Sequence, residues 1–379
     1  MKIPFRKFHL LTILKEFSNN SLPLDIFLRN YFKNHKSIGS KDRKSICEDL
    51  YKLVRWNGLI DFLCKKKPVT WEERLEILEN FDFKKHLDNE KIPDNIRVSF
   101  PKDYFEKIKK AYSLKKAIDF CLTSNEVAPT TIRANPLKIS RDELFDILNK
   151  KYDIKKCKKS PYGIIFNKKI NFFVSEEFKK GFFEIQDEGS QIVADLIDPR
   201  PKDHVLDFCS GSGGKTLAIA HKMKKTGQIY LHDIRDYILL EAKKRFKRAG
   251  IENFQIKTTK NLKKLNEKMD WIILDVPCSG SGTLRRNTDL KWRFNINDLE
   301  SLKATQREIF DKAFAYLKND GKIVYITCSI FPEENEEQIE YFIKKYNLKV
   351  EEKFFSFPIE NSHDGFFACV LKSKKLIIL

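Results

Sequence analysis

The C-terminal part of the chain alternates short apolar runs with helical stretches, and this alternation constrains the fold more than any other sequence feature. From residue 181 onward the apolar runs have the length of buried strands. Such alternation predicts an α/β domain, a mostly parallel sheet with helices on both faces. From Val350 onward we expect late, antiparallel strands. The predicted parallel strands are VLDF (205–208), QIYLHD (228–233), WIILD (271–275) and GKIVYIT (321–327).

Three parts precede this α/β domain, which we place at residues 181–379. Residues 1–67 carry apolar side chains at helical spacing and predict a helical domain. Residues 68–101 predict a helical linker. Residues 102–180 predict a small α+β subdomain, with a strand at Thr130–Ala134, a helix and another strand. In the helical domain, the residues expected along one buried face are Ile46, Leu50, Leu53, Val54 and Ile60.

The chain is strongly basic, because 72 Lys and Arg against 53 Asp and Glu give a net charge of +19. This charge favours a nucleic-acid partner, since Lys and Arg release counterions from phosphates; a lysine-rich compositional bias is the alternative. The α+β subdomain is the most basic stretch, with Tyr152, Tyr162 and Phe166 among its lysines. It predicts a surface that holds single-stranded RNA by charge and stacking, or an ordinary basic surface.

The cysteines and the N-terminal residues indicate whether the chain binds a metal and in which compartment it is expected. None of the eight cysteines forms a C-x-x-C pair, which disfavours a zinc site, and we expect no metal. No apolar run approaches the roughly 20 residues of a membrane span. The first residues read as an amphipathic helix rather than a signal peptide. Scattered cysteines without a secretory signal indicate a reducing compartment, so we expect a cytoplasmic protein without membrane contact.

A glycine-rich turn follows the first predicted parallel strand and opens a helix. Its residues are Cys209, Ser210, Gly211, Ser212, Gly213, Gly214 and Lys215. Glycines let a backbone approach a ligand closely. A phosphate-binding P-loop would need glycine at position 209, which disfavours an NTPase. Asp233 ends the next strand about twenty residues on, where a carboxylate accepts from ribose hydroxyls. Together they predict an adenosyl-containing cofactor; a purely structural turn is the alternative.

Two cysteines follow the ends of later strands. Cys278 comes shortly after Asp275, and Cys328 follows Thr327. Parallel strands end at one crevice, so we expect the two thiols to converge, although a single cysteine there is more often structural. Two thiols beside an adenosyl site predict covalent catalysis on a pyrimidine. One thiolate adds to carbon 6, so that carbon 5 can take a methyl group. Asp275 is the candidate acid at the base edge, and spacing leaves open which thiol attacks.

Several further stretches share one family pattern. They are FKKGFFEIQDEGSQIVADLIDPRP, VLDFCSGSGGKT, LDVPCSGSGTLRRNTDLKW, TQREIF, GKIVYITCSIFPEENEEQI and HDGFFACVLK. From residue 178 onward the chain resembles the RsmB/NSUN (Sun/Fmu) family of S-adenosylmethionine-dependent RNA cytosine-5 methyltransferases. In the N-terminal helices, DRKSICEDLYKLVRW is similar to the NusB-like RNA-binding domain of bacterial RsmB.

This resemblance implies a Rossmann-like class I methyltransferase domain that binds S-adenosylmethionine and acts on RNA. It implies that Cys328 is the nucleophile and that Cys278 aids product release. It places Lys215 near both the base and the cofactor. The residues implied at the cofactor site are Cys209, Ser210, Gly211, Ser212, Gly213, Gly214, Lys215, Asp233 and Asp275.

The chain departs from the family pattern at three places. Ser212 stands where the family has proline. Thr258–Asn261 stands where an acidic residue is expected, which puts an adenine contact in doubt. Asn287–Thr288 replaces the usual Asn-Pro. All of the catalytic groups that the resemblance implies are present.

The sequence thus predicts a monomeric enzyme that forms 5-methylcytosine in structured RNA. The NusB-like segment favours 16S rRNA of the small subunit, with tRNA as the alternative substrate. Arg285 and Arg286 are expected to meet RNA phosphates. A non-catalytic RNA-binding or ribosome-assembly factor is the rival of another class. An amino-group methyltransferase is disfavoured, because it would want an Asn/Asp-Pro-Pro-aromatic loop at the position of Asp275.

Overall fold

The computed structural model describes residues 3–168 and 170–373. The end of the predicted C-terminal strand, residues 374–379, lies outside the described residues. The chain forms two compact units, a helical unit (up to Val127, and Thr283–Ile296) and an α/β unit (Ala128–Gly282 and from Asn297 onward). The division into four parts stays a prediction. None of the helices in the described ranges is long and apolar enough to cross a membrane.

The secondary structure follows the chain order. The helices are α1 (Phe5–Phe17), α2 (Leu24–Asn34), α3 (Ser40–Leu63), α4 (Trp71–Glu79), α5 (Asp94–Arg97), α6 (Lys102–Ala111), α7 (Leu114–Ser124), α8 (Arg141–Asn149), α9 (Glu176–Lys179), α10 (Glu188–Asp195), α11 (Gly214–Ile219), α12 (Asp236–Ala249), α13 (Thr259–Leu262), α14 (Leu290–Arg293), α15 (Leu299–Phe314) and α16 (Glu336–Tyr346). The strands are β1 (Thr130–Ala134), β2 (Ile154–Lys156), β3 (Gly163–Phe166), β4 (Phe183–Ile185), β5 (His204–Asp207), β6 (Gln228–Leu231), β7 (Phe254–Ile256), β8 (Met269–Asp275), β9 (Leu317–Thr327), β10 (Leu348–Ser356) and β11 (Phe366–Ser373).

The helical unit packs around the long helix α3. The apolar face predicted for this helix is confirmed, since all five of its residues are buried. The segment Thr283–Ile296, which follows the Pro-Cys motif by only a few residues, belongs to this unit. Within it, Trp292 Nε1 donates to the carbonyl of Val54 at 2.7 Å. Lys291 Nζ donates to three acceptors of the same unit at 2.6–2.7 Å. The segment is therefore fastened into the helical unit by buried hydrogen bonds.

The α/β unit opens with a small antiparallel sheet. In the described residues it has the order β2-β3-β1-β4, and α8 packs against it. The predicted strand-helix-strand order is confirmed, and Ser140 begins α8 with a capping box. The predicted stacking role of Phe166 is wrong for this conformation. Its ring is buried and packs against Tyr152 and Phe172 in the core of the sheet.

The main sheet of the α/β unit confirms the predicted fold class. Across the described residues its strand order is β10-β11-β9-β8-β5-β6-β7. The strands from β9 to β7 in this order pair in parallel, and β11 and β10 add an antiparallel edge, as predicted. Successive residues of the buried strands point to opposite faces, so each strand contributes to two cores. Val205 and Ile273 belong to one core, and Leu206 and Ile272 to the other.

Candidate active site

The two predicted thiols meet at the carboxyl edge of the parallel sheet. Strands β8 and β9 are neighbours, with Asp275 opposite Ile326. Each strand ends in a loop that carries one cysteine, and the sulfur atoms of Cys278 and Cys328 lie 3.4 Å apart. The two loops are also joined directly, because Gly282 N donates to the carbonyl of Cys328 at 2.8 Å. The predicted convergence of the thiols is confirmed; their chemical roles stay predictions.

The two thiols differ in their surroundings. Hydrogen bonding with Cys328, reinforced by burial, raises the pKa of the Cys278 thiol well above its usual range. Cys278 is therefore held as a protonated thiol beside the sulfur of Cys328.

Lys215 and Asp275 form an ion pair beside the thiols. Lys215 Nζ lies 2.8 Å from Asp275 Oδ2. The lysine side chain is 8% exposed and the aspartate side chain 34%, so the acid is the more accessible partner. The ammonium group also lies 5.4 Å from the ring centroid of Phe366. This arrangement fixes the Asp275 carboxylate at the strand end while leaving it open to a ligand.

The glycine-rich turn between β5 and α11 has the conformation that its glycines predict. Gly211 and Gly213 adopt φ values of +51° and +82°, in the left-handed region that favours glycine. A Cβ atom on Gly213 would meet the ring of Phe246, whereas one on Gly211 would meet no atom within 4 Å. Gly211 N donates to Asp233 Oδ2 at 2.9 Å. The turn thus exposes backbone at Gly211 beside the predicted ribose-binding carboxylate.

Asp233 is fully engaged by hydrogen bonds in this structure. Arg235 donates to it from its backbone N–H and from its guanidinium at 2.9–3.1 Å. Burial opposes ionisation of Asp233, but the hydrogen bonds from Arg235 and Gly211 hold its pKa below the usual range. The Arg235 side chain is 53% exposed. A ribose would therefore reach Asp233 by taking the place of the half-exposed Arg235 guanidinium.

Ser212, the departure from the family proline, is held by a side chain from α12. Arg245 donates through one guanidinium nitrogen to the Ser212 carbonyl at 2.9 Å and to its Oγ at 2.6 Å. The Arg245 Nε donates to buried Glu184 on β4 at 3.0 Å. The conformation that a proline ring would restrict covalently is here restricted by these hydrogen bonds.

Cys209, Ser210 and Gly214, the other predicted cofactor residues of the turn, include one unreactive thiol. Burial raises the pKa of the Cys209 thiol far above its usual range, so this cysteine stays protonated. Ser210 is buried, and Gly214 begins α11. The region without the expected acid forms α13, where Thr259 Oγ1 lies 3.1 Å from His232 Nε2.

The expectation for Arg285 is wrong. Its side chain is only 2% exposed, so it cannot offer its guanidinium to an RNA phosphate in this conformation. Arg286 is exposed. Charged residues are rarely buried, but this arginine lies in the segment that belongs to the helical unit.

The sequence interpretation missed three polar residues around the site, of which Asp207 and Glu334 are buried and Arg245 is partly exposed. Asp207 ends β5 just before the turn, a strand-end position that could have revealed it. Arg245 hydrogen-bonds Ser212, and Glu334 hydrogen-bonds Ser279; both partners are distant in sequence. Such partnerships leave no local pattern, so only the folded structure could reveal them.

Two family models match the chain, and one of them covers the residues of this site. A family model described as 16S rRNA methyltransferase RsmB/F matches residues 194–372. A model for the ferredoxin-like domain of the same proteins matches residues 100–172. Residues 194–372 belong to the RsmB/F methyltransferase family. The matched region contains the glycine-rich turn and both thiols of the site.

Curated relatives carry rRNA methyltransferase names. A protein of Synechocystis named probable ribosomal RNA small subunit methyltransferase B is 32% identical, over 69% of this chain and 60% of that protein. Ribosomal RNA small subunit methyltransferase B of Photorhabdus laumondii is 33% identical, over 59% of this chain and 53% of that protein. The matches therefore span little more than half the length of these relatives.

Solved structures share the fold of this RsmB/F family member. The crystal structure of PH0851 aligns with a TM-score of 0.80 over 98% of this chain and 100% of that chain, at 23% identity. A methyltransferase homolog protein from Pyrococcus horikoshii aligns with a TM-score of 0.64 over 74% of this chain and 98% of that chain, at 25% identity.

Proposed function

We propose that the protein transfers a methyl group from S-adenosylmethionine to carbon 5 of a cytosine in RNA, with small-subunit rRNA as its substrate. The observation that carries this proposal is the 3.4 Å separation of two thiols beside a paired, accessible carboxylate. Membership of the RsmB/F family and the names of the curated relatives support it. The compartment proposed is the cytoplasm, and the active form proposed is a monomer.

The residues around the glycine-rich turn fit S-adenosylmethionine. Gly211 leaves space above the turn. The Asp233 carboxylate can accept from a ribose hydroxyl once the Arg235 side chain moves off it. Ile234, the next residue, is 88% exposed and provides an apolar surface for a purine face. When bound, S-adenosylmethionine supplies an electrophilic methyl group. Cys209 to Lys215, Asp233 and Asp275 are the residues proposed to hold it.

The chain's own residues then have distinct tasks. The Cys328 thiolate adds to carbon 6 of the cytosine, and the new S–C bond gives carbon 5 enamine character so that it can accept a methyl group. Asp275, held by Lys215, contacts the N3 or amino edge and stabilises the adduct. A water molecule takes the proton from carbon 5, the double bond between carbons 5 and 6 re-forms, and the S–C bond breaks to return the Cys328 thiolate. Cys278, which keeps its proton, aids this release by donating a hydrogen bond to the departing sulfur 3.4 Å away.

The RNA partner is proposed from charge and from the family. The net charge is +19, and exposed lysines lie on the edge strand β2 and in the loop after it. Lys151, before β2, pairs with Glu177 and Lys156 pairs with Asp142, each at 2.8 Å, and Lys159 Nζ lies 3.4 Å from His363 Nε2. Lys155, Lys158 and Lys159 are exposed and carry the proposed contact with phosphates.

The test is methylation by the purified full-length protein. Small-subunit rRNA lacking 5-methylcytosine is incubated with S-adenosylmethionine and protein, and bisulfite sequencing then locates unconverted cytosines. We expect one or a few cytosines to become resistant, and none with Cys328→Ala. Methylation of tRNA but not rRNA would replace the proposed substrate. Binding of RNA without any 5-methylcytosine would favour the non-catalytic assembly factor and contradict the proposal.

A further inference from the structure

Two consecutive residues, Glu334 and Asn335, lie behind the two thiol-bearing loops. They follow the Cys328 motif in a short 3-10 turn, Pro332–Glu334, that leads into α16. Both side chains are fully buried. Burial of a carboxylate and an amide is costly unless every polar atom is satisfied, so their partners indicate what they do.

Glu334 binds the loop that carries Cys278. Its Oε1 accepts from Ser279 N at 2.9 Å, and its Oε2 accepts from Ser279 Oγ at 2.5 Å. Gln306 Nε2 donates both to Glu334 Oε1 at 3.0 Å and to the carbonyl of Pro277 at 3.1 Å. The residues immediately before and after Cys278 are thus tied to one carboxylate and its amide neighbour.

Asn335 binds the loop that carries Cys328. Its Oδ1 accepts from Thr327 Oγ1 at 2.6 Å, and its Nδ2 donates to the carbonyl of Ser329 at 2.9 Å. The residues on either side of Cys328 are therefore held by one amide group. A backbone fixed on both sides leaves the cysteine few ways to move its sulfur atom.

Glu334 has no ion-pair partner among the described residues. Its donors are the neutral groups of Ser279 and Gln306, and the Tyr325 hydroxyl donates to its carbonyl at 2.8 Å. A buried carboxylate that binds only neutral donors gives little stability for its desolvation cost. Such an arrangement is better explained by the geometry that it imposes on the Cys278 loop than by its contribution to stability.

We propose that Glu334 and Asn335 are positioning residues, each of which orients one of the two thiols for its own step. Asn335 sets the Cys328 sulfur for attack, and Glu334 sets the Cys278 sulfur for release. This inference rests on the proposed function, and it makes a specific claim beyond it. The two adjacent residues act on different steps of one reaction. Loss of Asn335 should slow formation of the covalent adduct, and loss of Glu334 should slow its breakdown.

The experiment uses mild variants that each remove one hydroxyl group. Ser279 Oγ also lies 3.1 Å from the hydroxyls of Ser281 and Ser329, and Thr327 Oγ1 also accepts from Ser329 N at 3.2 Å. Ser279→Ala removes the hydroxyl that Glu334 binds, and Thr327→Val removes the hydroxyl that Asn335 binds. Glu334→Ala and Asn335→Ala remove the positioning groups themselves, and Glu334→Gln keeps the shape of the side chain. Exposed Glu340 on α16 provides the matched control, Glu340→Gln. Each protein is mixed with small-subunit rRNA and S-adenosylmethionine, and the covalent RNA adduct and the 5-methylcytosine formed are followed in time.

We expect Ser279→Ala and Glu334→Ala to accumulate the covalent adduct while product formation slows at least about fivefold. Glu334→Gln should recover most of the turnover. Thr327→Val and Asn335→Ala should form the adduct at least about fivefold more slowly without accumulating it. The control should match the wild type. Binding of S-adenosylmethionine, measured by calorimetry, should stay within about twofold in all of them.

The inference is overturned if the two groups of variants show the same defect, or no defect, while the variants of the two cysteines behave as proposed. If Glu334→Ala or Asn335→Ala does not fold, Ser279→Ala and Thr327→Val decide the matter alone. If instead Cys328→Ala forms the adduct, the proposed function itself fails, and this outcome is distinct from the first.

Discussion

The sulfur atoms of Cys278 and Cys328 lie 3.4 Å apart although 50 residues separate them in the sequence. The contact arises because β8 and β9 are parallel neighbours whose loops leave the same edge of the sheet. Neither loop alone could specify it. The two loops that carry the thiols are held by Glu334 and Asn335.

The Lys215–Asp275 pair predicts a defect in chemistry. Asp275→Asn keeps the shape of the side chain but removes the charge opposite a buried ammonium group. We expect the single-turnover rate of methyl transfer to fall about 100-fold, because stabilisation of the adduct is lost. Rapid-quench measurement with labelled S-adenosylmethionine checks this, with the exposed Asp146→Asn as a control. A rate within about threefold of the wild type would exclude a role for Asp275 in the chemical step.

The Arg245–Ser212 contact predicts a defect in cofactor binding. Arg245→Ala frees the turn at Ser212, and we expect the affinity for S-adenosylmethionine to fall about tenfold, the equivalent of one strong hydrogen bond. Arg248 is the matched control, since it also binds Glu184 but forms no hydrogen bond to the turn within the described residues. Calorimetry measures both variants. Equal losses in Arg245→Ala and Arg248→Ala would assign the effect to Glu184 rather than to the turn.

Asp207 predicts a dependence of stability on pH. Burial raises the pKa of this carboxyl to about 7, and its hydrogen bond from Thr216 Oγ1 at 2.6 Å only partly opposes the shift. In the unfolded chain the group has an ordinary pKa near 4. Between about pH 4 and pH 7 the folded protein therefore holds a proton that the unfolded chain lacks. The contribution of Asp207 to the free energy of unfolding should fall as pH rises through this window.

Asp207→Asn removes this titration. We expect the stability of the variant relative to the wild type to increase from about pH 5 to about pH 8 in urea denaturation. Parallel stability profiles of the two proteins would show that Asp207 ionises normally in the folded state.

Lys291 predicts that the segment after the Cys278 loop stabilises the helical unit. Its ammonium group donates to the carbonyls of Arg55 and Ser99 and to Asn125 Oδ1. Lys291→Met keeps the length of the side chain but leaves three acceptors without their donor, at a cost of about 3 kcal/mol. Denaturation followed by tryptophan fluorescence measures the loss, and exposed Lys41→Met serves as the control. An unchanged unfolding midpoint would contradict the anchoring role.

Local patterns were enough to predict the parallel sheet, the glycine-rich turn and the strand ends that carry Asp275, Cys278 and Cys328. These features depend on the periodicity of apolar residues and on glycine conformation, which are properties of short stretches. The burial of Arg285 and of Glu334 was not predictable in this way. Each depends on partners brought together only by the fold, and a charged residue without those partners would stay in water.

The two thiols offer the most direct test of the central claim, that they have different roles in one covalent reaction. Cys328→Ala and Cys278→Ala are each incubated with small-subunit rRNA and S-adenosylmethionine and resolved on a denaturing gel. We predict that Cys278→Ala accumulates a protein–RNA adduct and that Cys328→Ala forms neither adduct nor 5-methylcytosine. An adduct formed by Cys328→Ala, or one that requires Cys278 as the attacking thiol, would contradict this account.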